Sequence, residues 1–313
     1  MKKILKSLLA LLVLFIIPQL SFSAPSDPFA DVKVVHGKDN RVDAFHLTGT
    51  KWEELSRSVA MQVISSDLVS IDEAWMRLVG SSLSESQDPP LCQDELFATQ
   101  TIVGRCSGFL VSDDHLLTAG HCIRIQSDCD QMFWVFDYEL KHAGDLDYTM
   151  VPSENIFKCS EIISQHYFPF SLTDQLDFAL IKLDRAVPNR SPLQVRWEGK
   201  IEDHAPLVVI GYPGGLPKKF ADGAKVIEND NGVYFAANLD TFHGNSGSPV
   251  FHFETGLVEG ILVRGENDYV YDAINDCTRV NTILNQCKDG ACHLEDVTRV
   301  TVVEKLKETL EGH

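Results

Sequence analysis

Eight short apolar segments set the limits on what this chain can become: "SVAMQVI", "TIVGRCSGFLV", "MFWVFDY", "DFALIKL", "PLVVIGY", "GVYFAANL", "SPVFHF" and "LVEGILVRG". Each is rich in β-branched or aromatic residues and is bounded by Gly, Pro, Asn or Asp, as strands in sandwiches and barrels are. The chain is therefore expected to be all-β. Helical spacing is clear only at the end. In "VTRVTVVEKLKETL", Val302, Val303, Leu306 and Leu310 recur at three- and four-residue intervals and predict a closing amphipathic helix over about 298–311. A weaker helix is expected in "SIDEAWMRLVG", where Glu73 stands in capping-box position after Ser70. The proline-bearing stretch Asp184–Pro206 reads as the linker between two β halves. There is no internal repeat, heptad run or low-complexity tract.

The N-terminus carries a different message. Lys2, Lys3 and Lys6 precede an apolar run, Leu8 to Ile17, and the small residues Ser21 and Ser23 follow. That order reads as a secretory signal peptide over residues 1–23, cut after Ser23. The run is too short for a bilayer span, which needs ~20 residues, so an uncleaved anchor is the lesser reading. Residues 24–33 read as a short propeptide, with further trimming near Val34 or Val35, and 34–313 as the mature domain.

Charge and cysteine content then narrow the partners. The formal net charge is −18, and losing the signal removes three lysines and no acids. Nucleic acid and anionic membranes both attract proteins through Lys and Arg, so neither is an expected partner. The expected partners are protein or peptide substrates, and a secreted or periplasmic monomer without cofactor or metal is expected. All eight cysteines lie beyond the signal, in a compartment where disulfides persist. Their number alone assigns no pairing. "CKDGACH", with Cys287, Cys292 and His293, could suggest zinc, but in a secreted chain disulfides are the stronger reading.

Three segments carry chemistry. "CSGFLVSDDHLLTAGHC", Cys106 to Cys122, holds a strand, a polar turn, a second strand and His121. If its two cysteines pair, the bridge closes a hairpin-like loop, worth ~3 kcal/mol in the chain-entropy model. It would also fix the imidazole as a general base requires. "DQLDFALIKLDR" offers Asp174, Asp177 and Asp184; Asp177 directly precedes an alternating strand and so falls at the edge of a barrel. "TFHGNSGSPV" sets Ser246 among glycines, where the backbone must come close to something.

Together these segments resemble the trypsin/chymotrypsin-like serine peptidases. "TAGHC" is similar to that family's histidine block, "DFALIKL" to its aspartate block and "GNSGSPV" to its serine block, in the same chain order. Within the superfamily the sequence is more similar to the bacterial glutamyl endopeptidases, through "GNSGSPV", "GYPGG" at Gly211–Gly215 and "VVHGKDNRVDAF". The resemblance implies two six-stranded antiparallel β-barrels, about 50–185 and 205–285, with the active site between them and a C-terminal helix. It implies a Cys106–Cys122 bridge, catalytic roles for His121, Asp177 and Ser246, and an oxyanion hole from the Gly244 and Ser246 N–H groups. "TIVGRC" is read as a strand, not an activation site, because a cut there would open the first barrel.

Specificity is less determined. By the resemblance Asp240, six residues before Ser246, lies at the base of the primary pocket, and an open carboxylate there would favour Arg or Lys at the bond cleaved. Arg264 lies near enough in the alignment to neutralise it instead. Thr241, Leu262 and Val263 complete the expected pocket, with Leu262 where glutamyl endopeptidases carry a histidine. Phe242 replaces a cysteine that trypsin pairs with its pocket wall. The rival from another class is a secreted, non-catalytic binding protein on the same scaffold.

Overall fold

The computed structural model describes residues 35–168, 175–283, 287–288 and 291–311. The signal peptide and propeptide expected over 1–33 lie outside the described residues, and so does Asp174. All eight apolar segments contribute strands. Six strands close the first barrel in the order Met132–Phe136, Ile156–Tyr167, Asp177–Leu183, His115–Thr118, Cys106–Leu110 and Val59–Ile64. The last pairs back to Met132–Phe136. The second ring runs Pro206–Gly211, Pro249–His252, Val258–Arg264, Glu295–Arg299, Tyr234–Ala237 and Lys219–Glu228, which returns to Pro206–Gly211. Asp184–Pro206 connects the two, as the prolines imply.

Period-2 alternation explains why apolar residues stand side by side in these segments. In Asp177–Leu183, Ala179, Ile181 and Leu183 join Trp134, Phe136 and Phe157 in one buried cluster, while Phe178 and Leu180 face another. In Pro206–Gly211, Leu207 and Val209 pack with Phe235, Val250 and Val297, while Val208 and Ile210 join the cluster that also holds Phe178 and Leu180. Successive side chains point to opposite faces, and here both faces are covered. That second cluster, which draws on both barrels, makes the two halves one body around the cleft.

Buried ion pairs reinforce the joint. Lys218 is fully buried with Nζ 2.8 Å from Glu139 Oε2, and its N–H donates to the Tyr138 carbonyl at 2.9 Å. Burial alone would raise the Glu139 carboxyl, but Lys218 and then Lys141 override it and hold it at about 2. Lys219 Nζ lies 2.6 Å from Asp43 Oδ1, which anchors the short strand Val42–Asp43 to the second barrel. Burial lowers the Lys219 ammonium to about 8 although Asp43 opposes the shift.

Two helix expectations are corrected. Residues 298–299 end the strand Glu295–Arg299, a one-turn 3-10 segment follows at Val300–Val302, and the helix is confined to Leu306–Glu311. The second barrel therefore extends past 285. Its ring is completed only when Glu295–Arg299 pairs with both Tyr234–Ala237 and Val258–Arg264, and these ladders outweigh a local spacing. "SIDEAWMRLVG" forms the hairpin Leu68–Ser70 with Trp75–Leu78. Asp72 Oδ1 accepts the Ala74 and Trp75 N–H groups and makes a turn where the capping box was expected. "TIVGR" gives only the two-residue strand Thr101–Ile102, paired with Ser81–Ser82 outside the barrel; the barrel strand begins at Cys106.

Three disulfides join Cys92 to Cys277, Cys106 to Cys122 and Cys129 to Cys159. Among the described residues no helix is long and apolar enough to cross a membrane.

Candidate active site

His121 sits in the short turn Gly120–Cys122 that follows the strand His115–Thr118. Only glycine fits before it, because a Cβ on Gly120 would lie 2.2 Å from the His166 carbonyl oxygen. The next strand over begins at Asp177, and the pairing of Ala179 with Thr118 brings its first residue level with His121. Asp177 Oδ2 lies 2.8 Å from His121 Nδ1, and Oδ1 accepts the His121 main-chain N–H at 3.1 Å. A carboxylate that receives both groups fixes the ring and places the proton on Nδ1, which leaves Nε2 as the basic nitrogen. His121 Nε2 is buried and makes no hydrogen bond among the described residues.

Ser246 comes from the other barrel. Its carbonyl accepts the Ser107 N–H at 2.8 Å, while Ser107 Oγ donates to the Gly244 carbonyl at 2.7 Å. Ser107 is the second residue of the strand Cys106–Leu110, so the serine loop is tied to the same strand that enters the Cys106–Cys122 bridge. Cys122 Sγ is 3.8 Å from the Ser246 carbonyl oxygen. The ligand-type atoms of Cys106, Cys122 and His121 lie within 4.8 Å of one another, but the sulfurs are spent in the disulfide and offer no metal site. Gly247, at φ +88°, has no room for a side chain: a Cβ would stand 2.0 Å from the Ser107 carbonyl oxygen. Gly244 has φ +84°, and its N–H makes no hydrogen bond among the described residues.

The expected pocket residues fare differently. Asp240 is 5% exposed, and its carboxylate is engaged by the N-terminal segment: Oδ1 accepts the His36 N–H at 2.7 Å and Oδ2 the Asn40 N–H at 3.2 Å. Burial raises its carboxyl to about 6 against those two hydrogen bonds and the Arg41 charge. It is thus not an open pocket base. Nor does Arg264 neutralise it. A bulge between Leu262 and Arg264 turns the guanidinium to Asp296 at 3.2 Å and to the Gln175 carbonyl at 3.3 Å. Leu262 belongs to the interior of the second barrel with Leu207, Val250 and Val297, and its main chain meets the serine loop: its carbonyl accepts the Gly247 N–H at 2.8 Å and its N–H donates to the Ser248 carbonyl at 3.0 Å. Val263 is buried in the cluster shared by the barrels. Phe242 is also buried, with the Arg41 guanidinium 3.8 Å from its ring centre.

One residue that the sequence did not flag stands beside Thr241. The fully buried Glu295 accepts the Thr241 hydroxyl at 2.5 Å, and a Cβ on Gly265 would meet Glu295 Oε2 at 2.0 Å. Glu295 opens a strand whose last two residues fell in the expected helix, and no motif marked it. His293 Nδ1 lies 2.8 Å from Glu266 Oε1; the side chains of Cys287 and Cys292 are outside the described residues.

The family profile of a trypsin-like peptidase domain matches residues 106–261, from the first histidine-loop cysteine to the strand after the serine block. No curated protein matches the chain. Among solved structures, a Glu endopeptidase in complex with MPD aligns with 90% of this chain and 100% of that chain, at TM-score 0.51 and 16% identity, a likeness of fold. A scabies mite inactivated protease paralogue aligns with 84% of this chain and 98% of that one, at TM-score 0.49 and 15% identity. With two six-stranded barrels and a peptidase profile that starts and ends on the strands flanking the cleft, the chain belongs to the trypsin/chymotrypsin-like peptidase superfamily.

Proposed function

We propose that the protein is a secreted serine endopeptidase that works through an acyl-enzyme intermediate. Ser246 Oγ attacks the scissile carbonyl while His121 Nε2 takes its proton; the imidazolium then protonates the leaving amine. Water, deprotonated by the same nitrogen, releases the acyl group. Asp177 holds the tautomer and stabilises the imidazolium. The N–H groups of Gly244 and Ser246 receive the oxyanion, each worth ~3 kcal/mol or more in the transition state. The observation that carries this reading is the meeting of the three motif segments: the 2.8 Å His121–Asp177 contact, with the Ser246 loop hydrogen-bonded to Ser107 beside the Cys106–Cys122 bridge.

Secretion is supported by the lysine–apolar–small order of residues 1–23 and by the three disulfides. For the residue before the cut we propose a preference for Lys or Arg. Its support is the buried Glu295 carboxylate bonded to the Thr241 hydroxyl, since Asp240 is engaged by His36 and Asn40. Labelling by a fluorophosphonate probe tests the core of the reading. Wild-type protein should be modified at Ser246 and Ser246→Ala should not. A mature wild-type protein that takes up no probe would leave the non-catalytic binding scaffold as the better account.

A further inference from the structure

A second histidine–aspartate pair stands directly beside the proposed oxyanion hole. His243 precedes Gly244, and Asp268 grips it twice. The carboxylate accepts the His243 main-chain N–H at 3.3 Å on Oδ1 and 3.1 Å on Oδ2, and Oδ2 lies 2.5 Å from His243 Nδ1. Asp268 is only 7% exposed, whereas the His243 side chain is 39% exposed. The far edge of the same residue is also held, since the His243 carbonyl accepts the Gly214 N–H at 2.6 Å.

Asp268 holds the Phe242–His243 peptide through the His243 N–H, and Gly214 holds the next peptide through the His243 carbonyl, so the residue before Gly244 is fixed at both ends. The His243 carbonyl and the Gly244 N–H belong to the same trans unit and point to opposite sides of it. Fixing the carbonyl on Gly214 therefore fixes the direction of the Gly244 N–H. Without such fixing a glycine would tolerate the rotated peptide as well, because it has no Cβ to exclude either form. Gly214 itself stands at φ +64° beside Leu83, Tyr269 and the His243 ring, which a Cβ there would meet at 3.5, 3.7 and 3.8 Å, ordinary contact distances. Asp268 in turn is set by the hairpin Tyr269–Asp272 with Cys277–Val280, whose exit closes on it through an Asn281 N–H to Asp268 carbonyl bond of 2.8 Å. Cys277 is joined to Cys92, and Arg279 pairs with Asp94, Glu95 and Asp272, so the hairpin is fastened to the segment that carries Leu83.

Resting on the endopeptidase reading above, we propose that Asp268 and His243 are positioning residues that hold the Gly244 N–H in line for the oxyanion. They touch no reacting atom; they keep a donor aimed. Transition-state binding should therefore suffer when the grip is lost, and ground-state binding should not.

The test compares Asp268→Ala and Asp268→Asn with wild type, using the best amide substrate from peptide profiling and the aldehyde of the same sequence, which adds Ser246 to form a tetrahedral oxyanion. Asp268→Ala should lower kcat ~10- to 100-fold, less than deleting a donor outright, with KM within ~3-fold. Aldehyde affinity should weaken in proportion to kcat. Asp268→Asn, which keeps one acceptor for the His243 N–H, should recover a large part of both and serves as the folded control should the alanine variant fail to fold. Wild-type kcat and aldehyde affinity in Asp268→Ala, or in His243→Ala should the former fail to fold, would overturn the proposal. So would a loss of kcat with unchanged aldehyde affinity. A wild type that neither cleaves peptides nor takes the fluorophosphonate defeats the endopeptidase reading and the proposal with it. An active wild type matched by Asp268→Ala defeats the proposal alone.

Discussion

The Glu139–Lys218 pair gives the sharpest test of how the barrels are held together. The Glu139 carboxyl is held at about 2 against an ordinary 4.5, a difference worth about 3 kcal/mol of stability at neutral pH. The sign follows from the depressed value. The contribution is complete above the unfolded-state value near 4.5 and disappears as the pH falls through about 2, leaving about 1.5 kcal/mol at pH 3. Glu139→Gln keeps the shape and removes the charge, so it should cost about 3 kcal/mol at pH 7. That cost is chiefly the attraction of Lys218, whose ammonium stays buried without its partner. In thermal unfolding that is a drop in Tm of about 6–12 °C at pH 7, with the gap from wild type about halved at pH 3. Replacing both residues, Glu139→Leu with Lys218→Met, should restore much of the loss, since removing a buried pair entire leaves no orphan charge. A penalty of equal size at pH 7 and pH 3 would refute the electrostatic account and assign the loss to packing. So would a double variant no more stable than Glu139→Gln.

Two further outcomes test the site. Asp177→Asn should reduce kcat by ~10⁴ while Ser246 stays in place, because the amide favours the wrong imidazole tautomer; steady-state kinetics beside wild type would read it, and a loss under tenfold would remove Asp177 from the role. Peptide-library profiling should show cleavage after Lys or Arg, reduced ~10-fold or more by Glu295→Gln through loss of a desolvated charge pair. A wild-type preference for Glu or for apolar residues would sink the acidic-pocket proposal.

The local sequence was enough where a segment is buried on both faces or punctuated by glycine. "DFALIKL" and "PLVVIGY" became core strands because a short apolar run bounded by turn residues suits a sheet covered on both sides. It was not enough for Ile156–Tyr167 or Lys219–Glu228. The first is bulged twice along its pairing with Asp177–Leu183, and the second is bulged against Pro206–Gly211 and Tyr234–Ala237 and carries Gly223 at φ +79°. A bulge shifts the alternation by one residue, so no period survives in the string. Glu295–Arg299 misled for a different reason. Thr298, Val300 and their neighbours suit either helix or strand, and only the two edges waiting at Tyr234–Ala237 and Val258–Arg264 settle it.

The candidate site divides along the same line. Residue types, order and spacing named His121, Asp177 and Ser246, since a histidine against a cysteine and a serine among glycines are local signatures. The engagement of Asp240 by His36 and Asn40, the turning of Arg264 to Asp296, and the Glu295 carboxylate at Thr241 are contacts between residues far apart in the chain. An acid in a sequence is only a charge. Which cation, hydroxyl or amide it meets is decided by the folding of two barrels against each other, and that is information no short stretch contains.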